Sequence, residues 1–283
     1  MDISNVKKLQ RIELELLKKT HEVCENLGIR YYLIGGTLLG AVRHGGFIPW
    51  DVDIDIAMPR KDYDIFKEYW ESNNDTDFFY QDYNSEKNHT ECHALLKLRN
   101  TEIRYITHKK DRYEIQHNGI YMDIFPLDFA PDDEKNQIKQ AKTIKFWSGL
   151  IQAKICRDYG AGKGKYIVKK CLSLLLKPIP FSLFQKQVEK TMKEYNDNCS
   201  NFLVSMASHY SYQKQLMPVR IYGEPKKINF EGMEFYAPNE TIKYLEQLFG
   251  DYMKLPPEDT RYKLIELIEN VDYGKYGESE KEK

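Results

Sequence analysis

The sequence predicts an α+β protein, with a mixed sheet and flanking helices followed by a mainly helical C-terminal half. The chain has 283 residues, of which 41% are hydrophobic and 30% charged, a composition typical of a folded, water-soluble protein. Short aromatic and β-branched runs alternate with helix-period patterns over the first 130 residues, whereas residues 132–210 hold few strand patterns. We therefore expect a core over 1–130, a helical region over 131–220, and a closing hairpin and helix over 221–283.

The chain opens with an amphipathic helix, because apolar residues recur every three or four positions between Leu9 and Leu27. Gly28 is suited to end this helix. Residues 31–34 predict a short strand that stops at two glycines, after which Thr37 is expected to cap a second helix.

The later elements follow from the same kinds of pattern. Acidic and aliphatic side chains alternate over residues 51–57, which predicts a strand with one acidic face. Beyond it the patterns predict a helix over 61–71 and strands over 78–83, 94–99, 103–106 and 119–125. Near the end, a hairpin is expected over 228–236 with its turn at Glu231 and Gly232, then a helix capped by Asn239 that stops near Gly250.

Charge and cysteine content restrict the partners and the compartment. The chain has 42 Lys and Arg against 43 Asp and Glu, so no nucleic-acid partner is expected from its overall charge. The five cysteines include no CxxC pair, which favours reduced thiols in the cytoplasm. No leader or membrane-spanning pattern is found in the sequence, so we expect a cytoplasmic protein.

The acidic strand is the most informative feature. Alternation places Asp51, Asp53 and Asp55 in a row on one face, and three such carboxylates repel one another unless a cation neutralises them. Oxygen ligands of this kind suit Mg²⁺ or Mn²⁺. The alternative is a solvent-exposed strand whose acids face water, but Ile54 and Ile56 require a core behind them. We therefore predict a metal site.

A second carboxylate, Asp123, interrupts an apolar strand and needs a partner there. A metal shared with the acidic strand would provide one; an arginine or backbone partner is the alternative. Asp128, two residues after a proline, is expected to cap the next turn instead.

Basic residues and glycines near the acidic strand suggest phosphate binding. Gly35, Gly36 and Thr37 join a strand to a helix, where backbone amides point toward anions, although many such turns bind nothing. Arg43, Lys97 and Arg99 are candidates to contact phosphates or to balance the aspartates. The His89 and His93 pair does not fit the zinc-protease motif and is interpreted as coincidental.

These residues resemble the LicD family of the nucleotidyltransferase-fold superfamily. The superfamily pattern, a Gly-Gly turn, two acids separated by an aliphatic residue and a third acid on a later strand, is matched here. Motifs similar to those of the LicD family are 36–43 GTLLGAVR, 46–51 GFIPWD, 123–128 DIFPLD, 230–232 FEG, 237–238 AP and 248–257 LFGDYMKLPP. One departure is Val52, which stands where the family commonly has an acid. It makes Asp51 and Asp53 an equally good formal match to the acid pair, but we prefer Asp53 and Asp55.

The resemblance implies a nucleotidyltransferase-like core and a metal-dependent reaction. Asp53, Asp55 and Asp123 would hold Mg²⁺ or Mn²⁺, with Asp51 as a further ligand, and Asp123 would accept the acceptor's proton. A phospho-substituted group such as phosphocholine would pass from a CDP-activated donor to a glycan or lipid-linked glycan hydroxyl, releasing CMP. The alternatives are a nucleotidyltransferase acting on a small molecule, nucleic acid or protein, and a catalytically silent glycan-binding relative.

A basic, apolar segment covers residues 159–188. It contains six lysines and no acid, interleaved with leucines and isoleucines. The composition fits peripheral contact with anionic lipid at the inner face of the membrane, and the alternative is a core helix with solvated lysines.

Overall fold

The computed structural model describes residues 3–105, 117–156, 163–198 and 200–277. Its helices are α1 Ile3–Leu27, α2 Gly35–His44, α3 Arg60–Ser72, α4 Glu134–Ile155, α5 Lys163–Leu176, α6 Phe181–Lys193, α7 Tyr212–Gln215, α8 Val219–Tyr222, α9 Thr241–Phe249, α10 Glu258–Arg261 and α11 Lys263–Glu266. Its strands are β1 Tyr32–Leu33, β2 Asp55–Pro59, β3 Phe78–Gln81, β4 Ala94–Leu98, β5 Glu102–Tyr105, β6 Tyr121–Ala130, β7 Phe202–Val204, β8 Met217–Pro218, β9 Lys226–Phe230, β10 Met233–Ala237 and β11 Ile268–Asp272.

The main sheet is mixed, in the order β1-β2-β6-β4-β3. β2 and β6 run parallel, and the other pairs are antiparallel. The end of β6 pairs with β7, which pairs with β8. Two antiparallel pairs, β9 with β10 and β5 with β11, complete the strands. The α+β prediction is confirmed, and the parallel β2 and β6 pair brings the two acidic segments side by side.

Two hydrophobic cores stabilise the fold. The larger contains buried residues from Val6 to Ile268, so the first helix and the last strand share it. The smaller lies within residues 130–206, mainly between α4 and α6. Among the described residues, no helix is both long enough and apolar enough to cross a bilayer. The three-part division of the chain remains a prediction.

The hairpin of β9 and β10 packs against the loop over residues 45–47 that follows α2. The Oε1 atom of Glu231 accepts a hydrogen bond from the backbone N–H of Phe47 at 2.9 Å, and the Glu231 N–H donates to the Gly45 carbonyl at 2.9 Å. The rings of Phe47 and Phe230 are 4.9 Å apart. The 46–51 and 230–232 motifs, distant in the sequence, are therefore in contact in the fold.

Two expectations about the glycine and acidic segments are wrong in detail. Helix α2 already begins at Gly35, and Thr37 does not cap it; the Thr37 Oγ1 atom instead accepts a hydrogen bond from the Asp55 N–H at 2.8 Å. The regular strand begins only at Asp55. The Asp51 N–H donates to the Ile48 carbonyl at 2.9 Å, and this turn replaces the start of the predicted strand.

Two predicted caps are also wrong. Asp128 lies fully buried on β6, where it forms two hydrogen bonds of 2.7 Å with the Arg60 guanidinium. A buried charge needs such a partner, and this one is distant in sequence. Asn239 does not cap α9, because its side-chain amide donates to the Arg220 carbonyl at 3.3 Å. The end of α9 at Gly250 is confirmed.

Candidate active site

Three carboxylates meet at the parallel pair of strands. Asp55 and Asp123 are register partners on β2 and β6, and the backbone N–H of Asp123 donates to the Ile54 carbonyl at 2.8 Å. Asp53 lies two residues before Asp55, so alternation puts it on the same face. One oxygen atom from each of Asp53, Asp55 and Asp123 lies within 4.8 Å of the others. The carboxylate triad, as we call these three residues, therefore forms as the sequence predicts.

Asp51 belongs to the same cleft but lies outside the triad. It sits on the turn before β2, and the side-chain amide of Gln10 on α1 donates to its carbonyl at 2.8 Å. The same amide donates to the Ile48 carbonyl at 3.1 Å. Helix α1 therefore fixes the path of the loop that carries Asp51. Val52 is buried in the main core, so its side chain points away from the acids as predicted.

Two glycines at the start of α2, Gly35 and Gly36, leave space for the acids. Gly35 has a φ of +54°, and a Cβ there would lie 2.7 Å from the Oδ2 atom of Asp55. A Cβ on Gly36 would lie 2.6 Å from the Oδ2 atom of Asp51. The Gly35 N–H donates to the Tyr244 hydroxyl at 3.2 Å. The glycines thus admit the carboxylates close to the backbone, and the Gly35 amide already has a protein partner.

Burial makes these acids reluctant to ionise. Desolvation raises the pKa of Asp51 to about 6. It raises the pKa of Asp53 and of Asp55 well above the usual value, and the neighbouring carboxylates add to the effect. Glu13 on α1 is fully buried beneath them, and burial followed by the charges of Asp51 and Asp123 raises its pKa strongly.

No lysine or arginine among the described residues forms a salt bridge with Asp51, Asp53 or Asp55. The Oε2 atom of Glu13 also finds no hydrogen-bond partner in this part of the chain. Carboxylate oxygens that are close together, held by rigid strands and not paired with a described lysine or arginine fit a hard divalent ion such as Mg²⁺ or Mn²⁺.

The raised pKa values predict how pH affects stability and metal affinity. When the pKa of a carboxyl is higher in the folded than in the unfolded state, the free energy of unfolding falls as the pH rises from the unfolded-state pKa to the folded-state pKa. The free energy of unfolding without metal should therefore fall from about pH 4 through about pH 6 because of Asp51, and further at higher pH because of Asp53 and Asp55. Binding of Mn²⁺ should tighten about tenfold per pH unit for each proton it displaces.

Thermal unfolding and Mn²⁺ titration between pH 5 and 8 measure both effects. The control is the Asp53→Asn/Asp55→Asn double variant, in which the loss of stability with pH should be smaller. Equal pH dependence in the two proteins would contradict the assignment to these acids.

The sequence interpretation missed the role of His93. Its Nε2–H donates to the Oδ1 atom of Asp123 at 2.6 Å, and its ring stacks on Phe125 at 4.3 Å. Burial works to lower its pKa, but the hydrogen bond and the charge of Asp123 raise the pKa overall. The sequence contained a signal, because His93 directly precedes β4 and lies two residues before Leu95, the register partner of Asp123. The structure thus shows a histidine that orients a member of the carboxylate triad.

Replacing His93 with Ala should weaken Mn²⁺ binding by about 10- to 100-fold, since groups that orient metal ligands contribute effects of this size. His93→Gln, which keeps a hydrogen-bond donor, should weaken it less. The measurement is the Kd for Mn²⁺, and His21→Ala, distant from the cleft, is the control. An unchanged Kd in both His93 variants would show that the contact does not position Asp123.

Two cavities meet at the carboxylates, and Asp53, Asp55, His209 and Tyr210 line both of them. The first, of about 520 Å³, also includes Gly36, Arg43, Trp50, Asp51, Phe249, Tyr252 and Lys254. The second, of about 820 Å³, also includes His93, Asp123, Ile144, Lys145, Ser148 and Ser208. Two molecules bound in these cavities would both reach the carboxylates. His209 and Tyr210 were not singled out from the sequence.

The three predicted basic residues lie in different places. Arg43 lines the first cavity, and its Nη1 atom donates to the Tyr252 carbonyl at 2.9 Å. Lys97 is buried beside the Tyr121 ring, donates to the His117 carbonyl at 2.7 Å, and has its pKa lowered to about 8 by burial. Arg99 donates to two backbone carbonyls near β3. The structure brings only Arg43 to the walls of these two cavities.

Comparison with known proteins places this site within a described domain. A family profile for LicD/FKTN/FKRP, nucleotidyltransferase domain, matches residues 28–151, which include the glycines and the carboxylate triad. The lipopolysaccharide cholinephosphotransferase LicD of Haemophilus influenzae is 30% identical over 260 residues, covering 88% of this chain and 92% of that protein. The ribitol 5-phosphate transferase FKRP of Homo sapiens is 31% identical over 151 residues, covering 46% of this chain and 30% of that protein.

Proposed function

The chain belongs to the LicD/FKTN/FKRP family, and we propose that it is a metal-dependent phosphotransferase. It moves a phospho-substituted group, phosphocholine or a similar one, from a CDP-activated donor to a hydroxyl of a cell-surface glycan or its precursor. The observation that carries the proposal is the carboxylate triad, whose oxygen atoms lie within 4.8 Å of one another where two cavities meet. The similarity to the cholinephosphotransferase over most of both chains supports the choice of phosphoryl transfer.

The first cavity suits the donor. Arg43 and Lys254 provide positive charge for phosphates, and Trp50, Phe249 and Tyr252 provide aromatic walls. A quaternary ammonium head group or a nucleobase can pack on such walls. The second cavity is lined by hydroxyl side chains and by two histidines, His93 and His209, and suits a polar acceptor.

The reaction exchanges one phosphorus–oxygen bond for another. The acceptor hydroxyl attacks the phosphorus that carries the head group, the bond from that phosphorus to the oxygen of CMP breaks, and CMP leaves. Asp53, Asp55 and Asp123 would hold Mg²⁺ or Mn²⁺, with Asp51 beside them; the bound ion supplies charge neutralisation for the diphosphate. We propose that Asp123, held by His93, accepts the proton of the hydroxyl.

A panel of CDP-linked compounds tests the proposal. The protein is incubated with Mn²⁺ and CDP-choline, CDP-ethanolamine, CDP-glycerol or CDP-ribitol, and CMP release is measured with and without a glycan acceptor. We expect CMP from one donor and no pyrophosphate. Pyrophosphate from a nucleoside triphosphate, without CMP from any CDP-linked donor, would instead establish a nucleotidyltransferase.

A further inference from the structure

Helix α5 presents an apolar face away from the rest of the protein. Val168, Leu174 and Leu175 are 68%, 54% and 74% exposed. Ser173 is buried between them, and its Oγ–H donates to the Lys154 carbonyl of α4 at 2.7 Å. Since Ser173 faces α4, the opposite side of α5 is the leucine-rich one. Amphipathic helices of globular proteins normally bury that side.

Exposed lysines lie in the same segment as this apolar face. Lys169, Lys170, Lys177 and Lys186 are exposed, and none of them forms a salt bridge with any residue that the structure describes. From residue 135 to residue 188 the sequence has twelve Lys and Arg but a single acid, Asp158, in a chain whose total charge is nearly balanced. The positive charge of the protein is therefore concentrated on the segment that also exposes leucines.

We propose that this surface, formed by residues 168–186 of α5 and the start of α6, binds an anionic lipid bilayer. Leucines enter the boundary between head groups and acyl chains, while the lysines contact the acidic head groups. A second copy of the chain is a poorer occupant, because it would bring two sets of unpaired lysines together, and protein interfaces are depleted in lysine. The segment 159–188 predicted from sequence includes this surface; residues 159–162 lie outside the described chain.

Helix α4 connects the proposed lipid-binding surface to the cleft. α4, against which α5 packs, lines the second cavity through Ile144, Lys145 and Ser148. Lipid binding at α5 would thus hold the second cavity close to the bilayer, where a lipid-linked acceptor would lie. The inference itself rests on exposure and charge and does not depend on the proposed reaction.

Vesicle flotation tests the inference with the full chain. With vesicles of phosphatidylcholine and phosphatidylglycerol at low salt we expect most of the protein to float, and with phosphatidylcholine alone very little. Changing Lys169, Lys170, Lys177 and Lys186 to Gln should weaken binding by about 10²-fold or more, and added salt should weaken wild-type binding steeply. Leu174→Ser/Leu175→Ser should also lose binding.

Matched variants separate this surface from general charge and apolar effects. The first control removes four exposed lysines outside the proposed surface by changing to Gln Lys61, Lys87, Lys226 and Lys263. The second control, Ile65→Ser/Ile242→Ser, removes two exposed apolar side chains outside it. Both controls, and Asp53→Asn/Asp55→Asn, should bind like the wild type. The proposal is overturned if the protein does not bind anionic vesicles, or if all variants bind them equally. It is also overturned if the protein does not bind vesicles but forms a dimer that becomes monomeric in Leu174→Ser/Leu175→Ser.

Discussion

Replacing Asp53 or Asp55 with Asn is expected to lower CMP release by about 10³-fold or more while leaving the fold intact. Loss of the metal removes several kcal/mol of charge stabilisation, and each ~1.4 kcal/mol corresponds to a factor of ten. Without metal the variants should unfold at the same temperature as the wild type or higher. The raised pKa values of both acids mean that folding favours a neutral group at these positions, and Asn is neutral with nearly the same shape.

The comparison that matters is between Mn²⁺-loaded and metal-free protein. Mn²⁺ should raise the unfolding temperature of the wild type and of Asp197→Asn, an exposed control, but not of the Asp53 or Asp55 variants. Normal activity in either variant would remove the metal hypothesis. Lost activity together with an unchanged shift in unfolding temperature on adding Mn²⁺ would mean that these acids act without holding the ion.

The row of acids could be predicted because it depends only on local alternation. Val52 and Ile54 are buried, whereas Asp51, Asp53 and Asp55 face the cleft, even though the regular strand begins only at Asp55. The side chains of residues 51–54 therefore alternate in direction although these residues precede the regular strand. The predicted start of the strand at residue 51 was wrong because Gln10, some forty residues away, forms hydrogen bonds with the loop that precedes β2.

Residues whose role depends on distant partners could not be placed in this way. Asp128 has the sequence context of a turn, but Arg60 holds it inside the protein through two hydrogen bonds. The His89 and His93 pair was interpreted as coincidental because it does not fit the zinc-protease motif; the pairing of β4 with β6 brings His93 to Asp123. Arg99 was a candidate to contact phosphates or to balance the aspartates, yet its guanidinium donates to two backbone carbonyls near β3. Contacts between residues that are distant in the sequence, rather than the identity of the strands, were the missing information.

Gly35→Ala is expected to reduce both stability and metal binding, for two separable reasons. The residue has a φ of +54°, where an L side chain costs about 1–2 kcal/mol. The new Cβ would also lie 2.7 Å from the Oδ2 atom of Asp55, so the carboxylate must move. Displacing a reacting or metal-binding group by about 1 Å can cost about 10²-fold in rate, and we expect a loss of that size in CMP release together with weaker Mn²⁺ binding.

Two other glycines serve as controls that distinguish backbone strain at residue 35 from displacement of the Asp55 carboxylate. Gly28 has a φ of +64° but nothing within 4 Å of a new Cβ, so Gly28→Ala should lose similar stability and keep its Mn²⁺ affinity. Gly149, on α4, also has open space around it and no positive φ, so Gly149→Ala should gain about 0.5–1 kcal/mol from helix propensity. If Gly28→Ala lost Mn²⁺ affinity as strongly as Gly35→Ala, general loosening of the fold would explain the effect. If Gly35→Ala bound Mn²⁺ normally, the close approach of Asp55 to α2 would have no part in holding the ion.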